Sequence, residues 1–108
     1  MNEANINSSI ARLKSALIFR FGDKVELYLY GSVARNDYRF DSDIDILVLF
    51  PGEVNTDLME EVFGLAYDVG LEQDVVFGIV VQSKEFWTSE FAAVMPFYQN
   101  LQRDSLRI

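Results

Sequence analysis

The 108-residue chain contains no cysteine and no histidine, and only two prolines. Without cysteine there can be no disulfide framework, thiolate zinc site or cysteine nucleophile. Without histidine, imidazole acid–base chemistry, the Ser-His-Asp arrangement and most transition-metal sites are excluded as well. Basic residues are scarce: nine Lys and Arg stand against seventeen Asp and Glu, a formal charge of −8. So acidic a chain binds nucleic acid and anionic membranes poorly, and neither contact is expected. No apolar run approaches the ~20 residues of a transmembrane helix. The opening MNEANINSSI has neither the basic segment nor the apolar stretch of a secretory signal. A soluble cytoplasmic protein is expected. Carboxylate, hydroxyl, Lys and Arg are what remains for chemistry, and oxygen ligands suit hard cations such as Mg²⁺.

Half of the residues are apolar, and nine Phe, five Tyr and one Trp supply large surfaces to bury. The length fits one domain spanning residues 1–108. Ile6, Ile10, Leu13 and Leu17 recur at helical spacing, which predicts a helix from about Ser8 to Phe19, capped by Asn7, Ser8 or Ser9 and ended near Gly22-Asp23. Alternation from Lys24 to Tyr30 predicts a strand, and Val33 to Asn36 a short helical turn. A second strand is expected over Asp43 to Phe50, stopped by Pro51-Gly52. Asn55 or Thr56 can cap a long helix carrying Leu58, Val62, Leu65 and Val69, with Gly70 as its C-terminal glycine. Gln73 to Val81 is nearly continuous in apolar residues, which predicts a third strand buried on both faces at the centre of a sheet. Ser83 can cap a turn around Phe86 and Trp87, and Pro96 suits the first position of a last helix reaching about Arg103. Leu106 to Ile108 reads as an edge strand or a frayed tail. Strands alternating with helices predict an α/β arrangement.

The chemistry is concentrated between Leu29 and Phe50. Asp43 and Asp45, at positions i and i+2 of a strand, point to one face with Cα atoms ~6.6 Å apart. Ile44, Ile46 and Val48 take the other face. Two carboxylates so placed repel unless they share a cation or a proton. Gly31-Ser32, between a strand and a helical turn, can form an anion cradle: the glycine allows close backbone approach, and the turn offers free N–H groups. Arg35 lies one turn on. Asp74 sits in the apolar run of the third strand, where a bare carboxylate is costly unless it is paired or bound to metal; Glu72 is the alternative two residues earlier. Taken singly, each feature also has an ordinary structural explanation: a solvated strand start, a turn glycine with a capping serine, an exposed strand end. Phe86, Trp87 and Phe91 read as core or interface side chains, and Glu60-Glu61 as a solvated helix face.

Together, G-S-x-A-R, S-D-I-D seven residues on, and an acid about thirty residues later resemble the DNA polymerase beta-type nucleotidyltransferase superfamily. Within it, the chain resembles the minimal nucleotidyltransferases that accompany HEPN proteins in toxin–antitoxin pairs. The likeness runs from about Lys24 to Arg103, and PFYQNLQRDSLRI resembles the family's P-x-Y-x-N-I-x-x-E-G-I ending. Asn36 stands where the family usually has glycine, and Asp104-Ser105 where it has Glu-Gly. The resemblance implies a small mixed sheet flanked by helices. It implies nucleotide contacts from Gly31, Ser32, Arg35 and Ser42, and a catalytic triad of Asp43, Asp45 and Asp74 holding two Mg²⁺ ions. It further implies transfer of AMP from ATP to a HEPN-type toxin, with this chain as the antitoxin and homo-oligomerisation open. Two other functions remain: neutralisation of a partner by contact alone, and modification of a small molecule such as an aminoglycoside-like drug.

Overall fold

A computed structural model describes all 108 residues. In chain order the elements are α1 (Glu3–Phe21), β1 (Glu26–Tyr30), α2 (Gly31–Arg35), β2 (Ile44–Phe50), α3 (Thr56–Gln73), β3 (Phe77–Ser83), α4 (Lys84–Trp87), α5 (Glu90–Val94), α6 (Pro96–Asp104) and β4 (Leu106–Arg107). The four strands form one mixed sheet in the order β3-β2-β1-β4. β1 runs antiparallel to β2 and β4, and β2 runs parallel to β3. None of the helices is long and apolar enough to cross a membrane.

Two layers of helix enclose the sheet. Ile44, Ile46, Val48 and Phe50 face α1 and α3, where Leu13, Leu17, Val62 and Ala66 complete the main core. Leu47 and Leu49 face the C-terminal helices and meet Leu101, Tyr28, Tyr30, Val80 and Trp87. Phe86, Trp87, Phe97 and Tyr98 pack edge to face in that second layer, with centroids 5.0–6.4 Å apart. Phe86 and Trp87 are therefore packing residues, as expected, whereas Phe91 is exposed.

Three features differ from the periodicity. α1 begins a turn earlier than Ser8, with Asn2 as its cap, accepting from the Asn5 N–H at 2.8 Å. Ile6 belongs to the buried stripe and needs that extra turn; Ser9 is buried inside the helix and donates to the Asn5 carbonyl. α3 passes through Gly70 to Gln73, and the glycine serves a close approach rather than a helix end: a Cβ there would lie 2.7 Å from the Val75 carbonyl oxygen. The strand buried on both faces is β2, whose Ile44–Phe50 span is buried at every position but Asp45. β3 takes an edge instead, and all its residues but Val81 are only partly buried.

Glu26 ties the second layer to the sheet. Its carboxylate accepts from Tyr28 Oη at 3.1 Å and pairs with Lys84 of α4 and with Arg107 of β4. The hydrogen bond from Lys84 outweighs the opposing effect of burial and, helped by Tyr28 and Arg107, holds this carboxyl below the usual range. A carboxyl with a lower pKa folded than unfolded stabilises the protein at neutral pH, and that contribution fades as pH falls through the carboxylate range. Glu26→Gln is therefore expected to lose about 1 kcal/mol at neutral pH, a modest value because Lys84 and Arg107 remain partly in solvent. Urea unfolding of both proteins at neutral pH and in acid checks this: the difference should vanish in acid.

Candidate active site

The site is built where three strand ends meet on the second face. Asp45 pairs across the ladder with Tyr30 on one side and Gly78 on the other. Gly31 follows Tyr30 with φ +75, a backbone that side-chain-bearing residues rarely adopt. It is also close to the Asp45 carboxylate: a Cβ on Gly31 would collide with Asp45 Oδ2, and one on Gly78 would come to 2.5 Å from Asp45 Oδ1. Two glycines thus leave room for one carboxylate between them. Asp43 lies beside it, its Cβ 4.0 Å from the same virtual atom on Gly78. The pair expected from i, i+2 spacing is therefore formed, with Asp43 exposed and Asp45 half-buried.

Burial, followed by the neighbouring Asp43, pushes the Asp45 carboxyl above its usual range, while Arg35 works against both. Tyr30 is pushed up to about 12 by burial first, then by Asp45 and Tyr98. Its neutral hydroxyl closes the wall of the site. A shallow cleft of about 250 Å³ opens beside it, lined by Tyr30, Gly31, Arg35, Phe97 and Asn100 among others.

The remaining expected residues divide. Ser32 is the second residue of the short helix α2, and its carbonyl accepts from the Asp37 N–H at 3.0 Å. Asn36 ends the helix in the left-handed region at φ 61, so asparagine fills the place where glycine would serve. Arg35 lines the cleft, yet its Nε pairs with Asp37 at 3.2 Å. Ser42 is engaged in the turn before β2, accepting from the Arg39 N–H at 2.8 Å.

Asp74 does not join the pair. It lies three residues before β3 as the C-cap of α3, at φ 57, exposed, where it lines a different groove with Phe40, Asp41 and Ser42. The helix runs on to Gln73 and so keeps this residue out of the sheet. Glu72, the alternative, is paired with Arg12 of α1 at 3.2 Å. No three acidic side chains of the chain cluster closely enough to hold a metal ion together. Two adjacent carboxylates would suit one hard divalent cation that took its other oxygen ligands from elsewhere; they do not supply the third acid of a two-ion centre. The residue that sequence reasoning missed is Gly78. Its signal was a lone glycine inside an apolar strand, which marks a close approach.

A profile of the nucleotidyltransferase domain matches residues 10–97. A candidate protein adenylyltransferase of Methanocaldococcus jannaschii is 32% identical over 87 residues, 80% of this chain and 82% of its own. A solved candidate minimal nucleotidyltransferase superposes with a TM-score of 0.58 at 26% identity, covering 95% of each chain. A toxin–antitoxin complex solved with AMP-PNP contains a chain of the same fold, with a TM-score of 0.61 at 21% identity over 93% of this chain and 69% of that one.

A carboxyl raised by burial and by a like charge favours folding when protonated; that advantage is lost as pH rises through its shifted pKa. Asp45→Asn should accordingly be more stable than wild type at neutral pH, by no more than about 1 kcal/mol since solvent screens a half-buried group, and should match it in acid. Millimolar Mg²⁺ with a nucleoside triphosphate should raise the wild-type melting temperature and leave that of Asp45→Asn unmoved. Differential scanning calorimetry at two pH values reads both effects.

Proposed function

The chain belongs to the nucleotidyltransferase domain family, and from that premise we propose that it transfers AMP from ATP to a partner protein and acts as the antitoxin of a HEPN-type toxin. The observation that carries this reading is the Asp45 carboxylate confined between Gly31 and Gly78, with Asp43 beside it. Glycines at both flanks leave room around this half-buried carboxylate for a triphosphate to approach. A similar protein named for protein adenylylation and a toxin–antitoxin neighbour solved with AMP-PNP support the donor and the class of acceptor.

In this reading the backbone at Gly31 and the Ser32 hydroxyl seat the triphosphate. Arg35, released from Asp37, reaches a phosphate oxygen. Asp43 and Asp45 would hold Mg²⁺, which supplies charge neutralisation for the polyphosphate and the departing pyrophosphate. An acceptor hydroxyl oxygen from the partner bonds to the α-phosphorus, the bond from that phosphorus to the bridging oxygen of the β-phosphate breaks, and the hydroxyl proton passes to solvent. Positioning and charge neutralisation carry such a displacement, which needs no imidazole.

The missing third carboxylate favours a second reading, in which nucleotide binding survives and the partner is neutralised by contact alone. Intact-mass spectrometry after incubation with ATP, Mg²⁺ and the protein encoded beside this one decides between them. The partner is expected to gain the mass of one AMP group or a multiple of it. Asp43→Asn and Asp45→Asn should each reduce transfer by about 100-fold or more, while Asp74→Asn, whose new amide suits the left-handed C-cap, should leave it unchanged. Tight association without any mass gain would establish the contact-only antitoxin.

A further inference from the structure

We propose that the open edge of β3 and the adjoining face of α3 form the docking surface for a basic partner protein, which extends the sheet from this side. The proposal rests on the reading above that a partner protein is bound, and it names the surface that binds it. β3 has the composition of a central strand and the position of an edge. Its seven residues, FGIVVQS, include no charge and no proline. β2 pairs one side of it, and nothing pairs the other. Edge strands are normally blunted by lysine, proline or a bulge, and this one is not.

The adjacent helix is equally bare. Phe63, Tyr67 and Leu71 recur at i, i+4 and i+8 along α3 and are 41%, 67% and 66% exposed, and Val76 ahead of β3 is 62% exposed. Between helix and strand runs an apolar groove of about 320 Å³, floored by Ala66, Phe77 and Ile79. Contiguous apolar surface of this kind marks an interaction site.

Charge selects the occupant. From Phe40 to Ser83 the chain has ten acidic residues and no Lys or Arg; on α3, Glu61 and Glu72 are paired with Arg20 and Arg12 of α1, while Asp57, Glu60 and Asp68 have no ion-pair partner. Glu60 lies one turn before Phe63, and Asp68 one turn before Leu71, both exposed on α3. A second copy would bring this acidic field against itself, since an isologous contact matches a patch with its own image. A partner with Lys and Arg around an apolar strand or ridge meets it with the opposite sign. A strand added to β3 would lie two strand spacings, ~10 Å, from β2, and β2 carries Asp45.

The test titrates this chain calorimetrically with the protein encoded beside it. Phe63→Ser/Tyr67→Ser/Leu71→Ser should weaken binding at least about tenfold. Glu60→Lys/Asp68→Lys should weaken it to a similar degree, and raising the salt from low to high should weaken the wild type. Circular dichroism melting checks that the exposed substitutions leave the fold intact. Unchanged affinity in both multiple variants overturns the proposal. So does absence of wild-type binding, or a wild-type homodimer that the apolar variant dissociates. Adenylyl transfer measured in the same samples separates the two readings: transfer with unaltered affinity in the variants overturns the surface alone. Binding that the variants abolish, with no transfer by wild type, upholds the surface and overturns the enzyme.

Discussion

One carboxylate, held where two glycines leave it room, is the constraint around which the rest of the site is arranged. Asp45 ends the second-face row of the most buried strand. Its flanks are a left-handed Gly31 from the β1–α2 junction and Gly78 from the parallel neighbour. Either flank with a side chain would force the carboxylate to turn. The remainder follows from this placement: Tyr30 walls the site as a neutral phenol, Asn36 supplies the left-handed end of α2, and Asp43 stands close enough to raise its neighbour's pKa. The local charge repulsion is tolerated because the site sits on a rigid sheet whose other face is filled by α1 and α3.

The legible parts of the sequence were those governed by short-range rules. Alternation placed Asp43 and Asp45 on one face and Ile44, Ile46 and Val48 on the other, and the structure keeps that division. Of the two caps the sequence offers, Asn55 and Thr56, Asn55 caps α3, and Pro96 opens α6. The errors were long-range ones. Apolar runs in β2 and β3 look alike in sequence, and only the pairing order shows that β2 is central and β3 peripheral. Asp74 was misplaced for a related reason. A glycine can mark a helix end or a close approach, and Gly70 serves the second, lying under the Val75 carbonyl inside α3, so the helix ends instead at Asp74, its left-handed cap.

The acidic and apolar features of the α3–β3 side have a shared origin in topology. A parallel pair needs a crossover, and α3 provides it, so one face of the helix is spent on covering β2 and β3. The exposed side of the helix is then free to vary, and here it carries Phe63, Tyr67 and Leu71 among acids. The C-terminal segment takes the opposite course. It crosses the second face from the β3 edge to the β4 edge, and its closing bond, Ile108 N–H to the Leu27 carbonyl, anchors it beside β1.

That crossing segment carries the only tryptophan of the chain. Trp87 stacks at a tilt on Tyr28, 5.8 Å between centroids, and meets Tyr98 at 6.4 Å. Its indole emission therefore senses the seating of the C-terminal helices on the sheet, while far-ultraviolet ellipticity is dominated by α1 and α3, the two longest helices. The two optical signals watch opposite sides of the same sheet. Coincident heating curves would mean that both layers leave the sheet in one cooperative event, and an earlier loss of emission would mean that the layer over the site detaches while the other layer holds.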